Sequence, residues 1–274
     1  MKNNNFVQRF GQEILAGVLF LLAYFPTIIW MWDRWFVPDS YYSHGILVPF
    51  VSFFLIWQMR DELRGLKREE SVWGLRLIMI GLLMYLISSA LRVYFSSGFS
   101  MLIVLFGFVL HFWGKEIFKK ISFPLAFLFF MVPLPMVVVA NLSFQLKMFA
   151  AEISTMLLNN MRIPAVRDGS IIKMHSAYVV VDDVCSGLRS LISLTALGSI
   201  FAYWMESTML KRILLFLSTI PIAIVTNACR ILFLSAVSEI FGAEHAIGLI
   251  HEITGYMVFG LAFILLYVTR KILE

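Results

Sequence analysis

Apolar residues run along this chain in long tracts separated by short polar joints, most of them basic. A bilayer core about 30 Å thick takes roughly 20 apolar residues as a helix. Tracts of that kind stand at about 10–31, 44–59, 73–95, 98–114, 121–140, 185–205, 211–238 and 251–270, so the pattern predicts eight membrane-crossing helices. The second and fourth are short, and their ends are the least defined. One more segment, "NLSFQLKMFAAEISTMLLNN" (141–160), is helical in character yet carries Gln145, Lys147, Glu152 and Asn159. It reads as an interfacial or re-entrant helix on the outer side. After it, "MRIPAVRDGSIIKMHSAYVVVDDV" (161–184) sets β-branched residues around the turn signal "RDGS", which predicts a short extracytoplasmic β-hairpin. The expected fold class is all-α: a polytopic membrane protein, a single domain over 1–274 with short loops.

Composition agrees with that pattern. The 274 residues are 60% hydrophobic and 14% charged, with a mean hydropathy of +0.86, more apolar surface than a soluble domain can hide. A net charge of +5 and a pI near 9.2 raise nucleic acid as a partner, but the positions of the bases explain the charge as topological bias. Lys2, Arg9, Arg60, Arg64, Lys67, Arg68, Arg76, Lys115, Lys119, Lys120, Lys211, Arg212, Arg270 and Lys271 all fall in alternate loops, and only Arg34, Lys147, Arg162, Arg167 and Lys173 in the others. Both termini are therefore expected in the cytoplasm. If 141–160 were an additional crossing, Lys211 and Arg212 would move outside and the base-free 239–250 loop inside, against the bias. Two cysteines are too few for a disulfide framework. The first tract is too long for a cleaved signal sequence.

Ionisable groups inside such tracts are costly, so each is a site hypothesis. "VVVDDVCSGLRSLISLTAL" (179–197) places Cys185 at the outer mouth of the sixth tract, after Asp182 and Asp183, which have the chemistry of N-cap residues. A thiol in the first turn of a helix feels the positive end of its dipole, which favours thiolate. Arg189, four residues on, is expected on the same face, and Ser186 lies beside the cysteine. In "IVTNACRILFLSAV", Arg230 precedes the outer Glu239 by nine residues, roughly 13 Å of helix. Asn227, three residues earlier, is placed to orient the guanidinium or to satisfy a broken backbone bond. His251 opens the eighth tract in "GAEHAIGLIHEITGY". The neighbouring Glu244, His245 and Glu252 raise zinc, but no complete ligand set is in view, so no metal and no cofactor are expected.

Cys185, Arg230 and His251 thus come from three consecutive tracts and all fall in the outer half of the bilayer. A nucleophile, a fixed cation and a base in one cavity are the apparatus of thiol acyl transfer. His44 sits on the same outer side, where it has the option of positioning substrate. His111 and His175 read as structural or solvated, and Arg92 as an interfacial cation. Cys229, next to Arg230, points about 100° away from it on a helix, and a bridge to Cys185 would disable the thiol. A transporter in which Arg230 and Arg189 hold an anion is a competing reading, as is a non-catalytic factor for polysaccharide export. Transporters tend to carry paired repeats with broken helices, and the proline-broken "FMVPLPMVV" (130–138) has no obvious counterpart.

The succession "CSGLRS", "NACRI" and "HEITGY", with the early "YYSHGILVPF" (41–50), resembles the exosortase/archaeosortase family of membrane cysteine transpeptidases. The histidine at the third position resembles the bacterial branch. The resemblance implies Cys185, Arg230 and His251 as catalytic residues; the positions of Arg189, Asn227, Ser186 and His44 make them the expected substrate-binding or supporting groups. It also implies the partners: exported proteins ending in a short sorting motif, a transmembrane helix and a basic cluster, met within membrane lipid and without nucleic acid. The tail would be cleaved through a Cys thioester and the protein passed to an acceptor, by a multi-pass protein of the inner (cytoplasmic) membrane whose site faces the extracytoplasmic side.

Overall fold

The structure, a computed structural model, describes residues 2–182, 185–242 and 249–274, with the side chains of residues 2–9, 249, 251 and 252 outside the description. The chain divides into two compact units, Met1–Leu134 and Pro135–Glu274.

In the first unit, α1 (Lys2–Phe36) buries Tyr24, Thr27, Met31 and Trp35, a spacing of three and four residues that makes one stripe along a helix. Polar tips on that stripe find partners within the unit. The Tyr24 hydroxyl lies 3.0 Å from Ser100 Oγ, and Trp35 Nε1 donates to the Met131 carbonyl at 2.9 Å. A 3-10 turn (Ser43–Ile46) leads into α2 (Leu47–Gln58) and the short α3 (Arg60–Arg64). The next pair, α4 (Val72–Ala90) and α5 (Tyr94–Phe108), approach closely because glycines line their contact. A Cβ on Gly74 would lie 2.3 Å from His111 N, and one on Gly107 2.8 Å from Ile78 N, the small-residue packing that lets helices meet without a hydrophobic drive. His111 anchors the same contact, its Nδ1 3.2 Å from the Ser71 carbonyl. A π turn (Val109–Trp113) carries α5 into α6 (Gly114–Lys120).

The tract expected as one helix over 121–140 is divided. It forms α7 (Ser122–Phe127) and a 3-10 turn (Leu128–Met131), and the helix then stops at "VPLP" (132–135). Proline lacks the N–H that a helix needs and disfavours helical backbone in the residue before it.

The second unit opens with α8 (Met136–Asn160), one continuous helix of 25 residues. The segment 141–160, expected to be interfacial or re-entrant, is most of that helix, which is long and apolar enough to cross a membrane. The face that α8 buries is made of Val139, Ser143, Ala150, Ala151, Ser154, Thr155 and Leu158, small and apolar groups that pack closely whatever the other faces carry. Three strands follow, β1 (Val166–Asp168), β2 (Ile171–Lys173) and β3 (Tyr178–Val180), antiparallel in the order β1-β2-β3. The expected hairpin is present and gains a third strand. Gly169 takes φ +61° at its first turn, a conformation open to glycine. Ile172, fully buried in the central strand, joins Ala150, Ala151, Leu158, Val181, Ile231 and Cys185 in one cluster. Then come α9 (Leu188–Trp204), α10 (Met209–Phe241) and α11 (Leu249–Leu273), joined through a second cluster that includes Leu194, Met205, Leu215, Ala223, Ala262 and Leu266.

Among the described residues six helical stretches are long and apolar enough to cross a membrane: Phe10–Phe36, Val72–Ala90, Tyr94–Lys120, Met136–Asn160, Met209–Phe241 and Ile253–Leu273. Ser43–Gln58, Ser122–Met131 and Leu188–Trp204 are shorter apolar helices. Tract lengths alone therefore do not return the expected eight full crossings.

Candidate active site

Cys185 is buried, 6% exposed, in the loop between β3 and α9. The loop is tied down at each step. The Cys185 N–H donates to the Asp182 carbonyl at 2.9 Å, and the Leu188 N–H donates to Ser186 Oγ at 3.3 Å. Gly187, the N-cap of α9, has φ +82°, and its carbonyl accepts from the Leu191 N–H at 2.9 Å and from Ser190 Oγ at 2.8 Å. Asp182 and Asp183 were expected to cap a helix opening at Cys185. Instead α9 begins at Leu188, so Cys185 precedes it, and Asp182 contributes a backbone carbonyl; Asp183 lies outside the described residues. The left-handed glycine explains the shift: right-handed helix cannot run through such a residue.

Asn227, 4% exposed on α10, donates from Nδ2 to the Cys185 carbonyl at 2.8 Å. Of the two tasks expected of it, orienting the guanidinium or satisfying the backbone, this bond performs the second. A Cβ on Gly187 would lie 2.9 Å from Asn227 Cγ, so the loop folds around the amide as a plug. Gly187→Ala therefore meets both a disfavoured φ, worth roughly 1–2 kcal/mol, and a packed amide. The expected result is about 2 kcal/mol of lost stability, read as a lower unfolding temperature in detergent. Wild-type thermal stability in this variant would contradict the account of the loop.

Arg230 is half-buried on α10. Its Nε donates to Thr254 Oγ1 of α11 at 3.4 Å, and Nη2 lies 3.6 Å from where a Cβ on Gly255 would stand. The Cys185 thiol, in the loop ahead of α9, feels four influences. Burial pushes it up, the Arg230 charge pulls it down, the Asp182 charge pushes it up again, and a hydrogen bond with the Asp182 backbone pulls it down; burial wins and the thiol stands above its ordinary value. That direction runs against the thiolate expected from a helix dipole, in keeping with Cys185 standing ahead of α9 rather than in its first turn.

Arg189 is the second residue of α9 and half-buried. Because Cys185 lies before the helix, the four-residue spacing does not stack the two on one face. His251 belongs to the first turn of α11, three residues ahead of Thr254; its side chain, like Glu252, lies outside the described side chains, and Glu244 and His245 lie outside the described residues. His44 belongs to the first unit, where its ring hydrogen-bonds the Phe130 backbone and lies 6.1 Å from that of Tyr42. Neither cysteine is in a disulfide; Cys185 is buried and Cys229 exposed. A crevice of about 10 Å³, bordered by Phe149, Ala150, Ser186, Gly187, Leu191 and Asn227, has room for about one water.

Sequence reasoning passed over Thr254 and Gly255. The signal was there in "HEITGY": a hydroxyl and a glycine side by side in an otherwise apolar helix, one turn after the histidine.

A family model for transmembrane exosortases matches residues 14–268. Comparison with curated proteins and with solved structures finds no match.

Proposed function

The chain belongs to the transmembrane exosortase family, and on that premise we propose that it is a membrane thiol transpeptidase acting on C-terminal sorting tails of exported proteins. The observation that carries this reading is the bond by which Asn227 of α10 fixes the backbone of the buried Cys185, with Arg230 three residues further along the same helix and its charge favouring the thiolate. In the proposed reaction His251 takes the thiol proton. Cys185 Sγ then attacks the carbonyl carbon at the tail's scissile bond, and Arg230 stabilises the oxyanion that forms. Collapse of the tetrahedral species breaks the C–N bond, the proton returns from the imidazolium to the leaving amine, and a thioester remains on Cys185. An acceptor nucleophile or water then releases it. His251 fits the role of base by position, since residues three apart on a helix lie on neighbouring faces and Thr254, three residues on, is the residue Arg230 reaches.

The charge bias supports a site facing the extracytoplasmic side. One crossing between residues 121 and 160, made by α8 rather than by the broken 121–140 tract, leaves every basic loop on the side first assigned to it. A tail with its own membrane helix would diffuse laterally and present its motif at that outer boundary.

A trapped intermediate tests the reaction. The purified protein in lipid nanodiscs is mixed with a protein that ends in a short motif, an apolar helix and a basic cluster, and is analysed by mass spectrometry. The expected product is an acyl adduct on Cys185 that hydroxylamine removes. Tail cleavage with no cysteine adduct, or with the adduct on Cys229, would refute the proposed role of Cys185.

A further inference from the structure

We propose that Thr254 and Gly255 form a seat on α11 that aims the Arg230 guanidinium, with Thr254 a positioning residue for the thiol chemistry. The inference deepens the reading above and rests on it. Two observations fix the seat. Thr254 is 4% exposed, and its Oγ1 accepts from Arg230 Nε at 3.4 Å, a contact longer than an ideal hydrogen bond, as bonds around a reacting centre often are before substrate arrives. Next to it, Gly255 leaves Nη2 in ordinary contact distance of the helix, 3.6 Å from a Cβ that is not there. A hydroxyl therefore holds one nitrogen of the planar fork, and a residue without a side chain lies beside another, where a methyl would just touch it and a larger group would crowd it.

The consequence follows from geometry. An arginine side chain has several rotatable bonds, and from α10 alone its charge has many places to go. Holding Nε on Thr254 narrows the orientations open to the guanidinium plane, and with them the aim of the remaining N–H groups. Among the described residues the charges acting on the Cys185 thiol are those of Asp182 and Arg230, and of these two the Arg230 charge favours the ionised form. Whatever loosens Arg230 thus weakens the charge that offsets burial and the Asp182 carboxylate. Thr254 acts through the arginine and touches no reacting atom in this scheme.

The test separates Thr254→Val, which keeps shape and loses the acceptor, from Thr254→Ser, which keeps the acceptor. Both are made in a Cys229→Ser background so that a small uncharged alkylating reagent reports on Cys185 alone. Alkylation needs thiolate, so its rate climbs as pH rises through the thiol's own titration. The expected result for Thr254→Val is a profile moved to higher pH and a kcat for tail cleavage lower by about 10-fold to 100-fold, the scale on which small misplacements act. KM stays within about twofold, and Thr254→Ser restores both profile and kcat. Replacing Gly255 by leucine should move the profile in the same direction by displacing Nη2. A Thr254→Val protein with the wild-type profile and kcat overturns the inference, as does a Thr254→Ser protein as impaired as the valine variant, which would make the residue a packing element. Tail cleavage that survives Cys185→Ala defeats the underlying reaction instead, while the alkylation profiles still report whether the seat exists.

Discussion

Replacing Cys185 with alanine is expected to abolish tail cleavage, by about 10⁴-fold or more, while the protein accumulates in the membrane at its normal level. The size follows from the role: a nucleophile that forms the covalent intermediate has no substitute, and what remains is whatever orientation and charge stabilisation achieve without it. Normal abundance follows from packing. Cys185 is a small buried group among Ala150, Ala151, Val181 and Ile231, so losing the sulfur leaves a void of about methyl size, at a cost of about 1 kcal/mol. The bonds that shape the loop, from the Cys185 N–H to Asp182 and from Asn227 to the Cys185 carbonyl, are backbone-based at the cysteine and survive the change. Quantitative blotting of membranes beside a cleavage assay separates the two effects. A variant that still cleaves at near wild-type rate removes the thiol from the mechanism.

Arg230→Lys should lower kcat by about 10²-fold to 10³-fold, the range found when one donor to a developing oxyanion is removed. Lysine keeps the positive charge, so long-range help to the thiol persists. It lacks the planar fork, and a compact ammonium has no Nε to seat on Thr254 while other N–H groups aim elsewhere. Its flexible stem also lets the charge snorkel toward water. The helix itself should tolerate the exchange, because Arg230 is only half-buried. Single-turnover kinetics with matched circular dichroism check this, and a lysine variant with wild-type kcat would show that charge alone suffices.

Much of this protein was readable before any coordinates. The apolar tracts gave helices, Pro133 and Pro135 flagged a broken segment, and the turn signal before Ile171 gave a hairpin. Cys185 and Arg230 stood out because ionisable or nucleophilic groups are rare in such tracts. The failures share a cause. Cys185 was placed in a helix because the hydrophobic run begins there, yet the run continues while the backbone turns left-handed at Gly187. Residues 141–160 were set apart from the tract before them, although they continue one helix that begins at Met136. Arg189 was assigned to the cysteine by spacing, when spacing holds only within one helix.

By itself the sequence determined the class of molecule, since so apolar a chain has to satisfy its backbone internally, and it marked the residues with chemistry to offer. Tertiary structure alone decided how those residues meet: that Asn227 holds a carbonyl 42 positions away, and that Arg230 rests on a hydroxyl 24 positions further along. Hydrophobic periodicity is a local, one-dimensional signal. A hydrogen bond between two helices depends on their rotation and depth, which are set by every side chain packed between them.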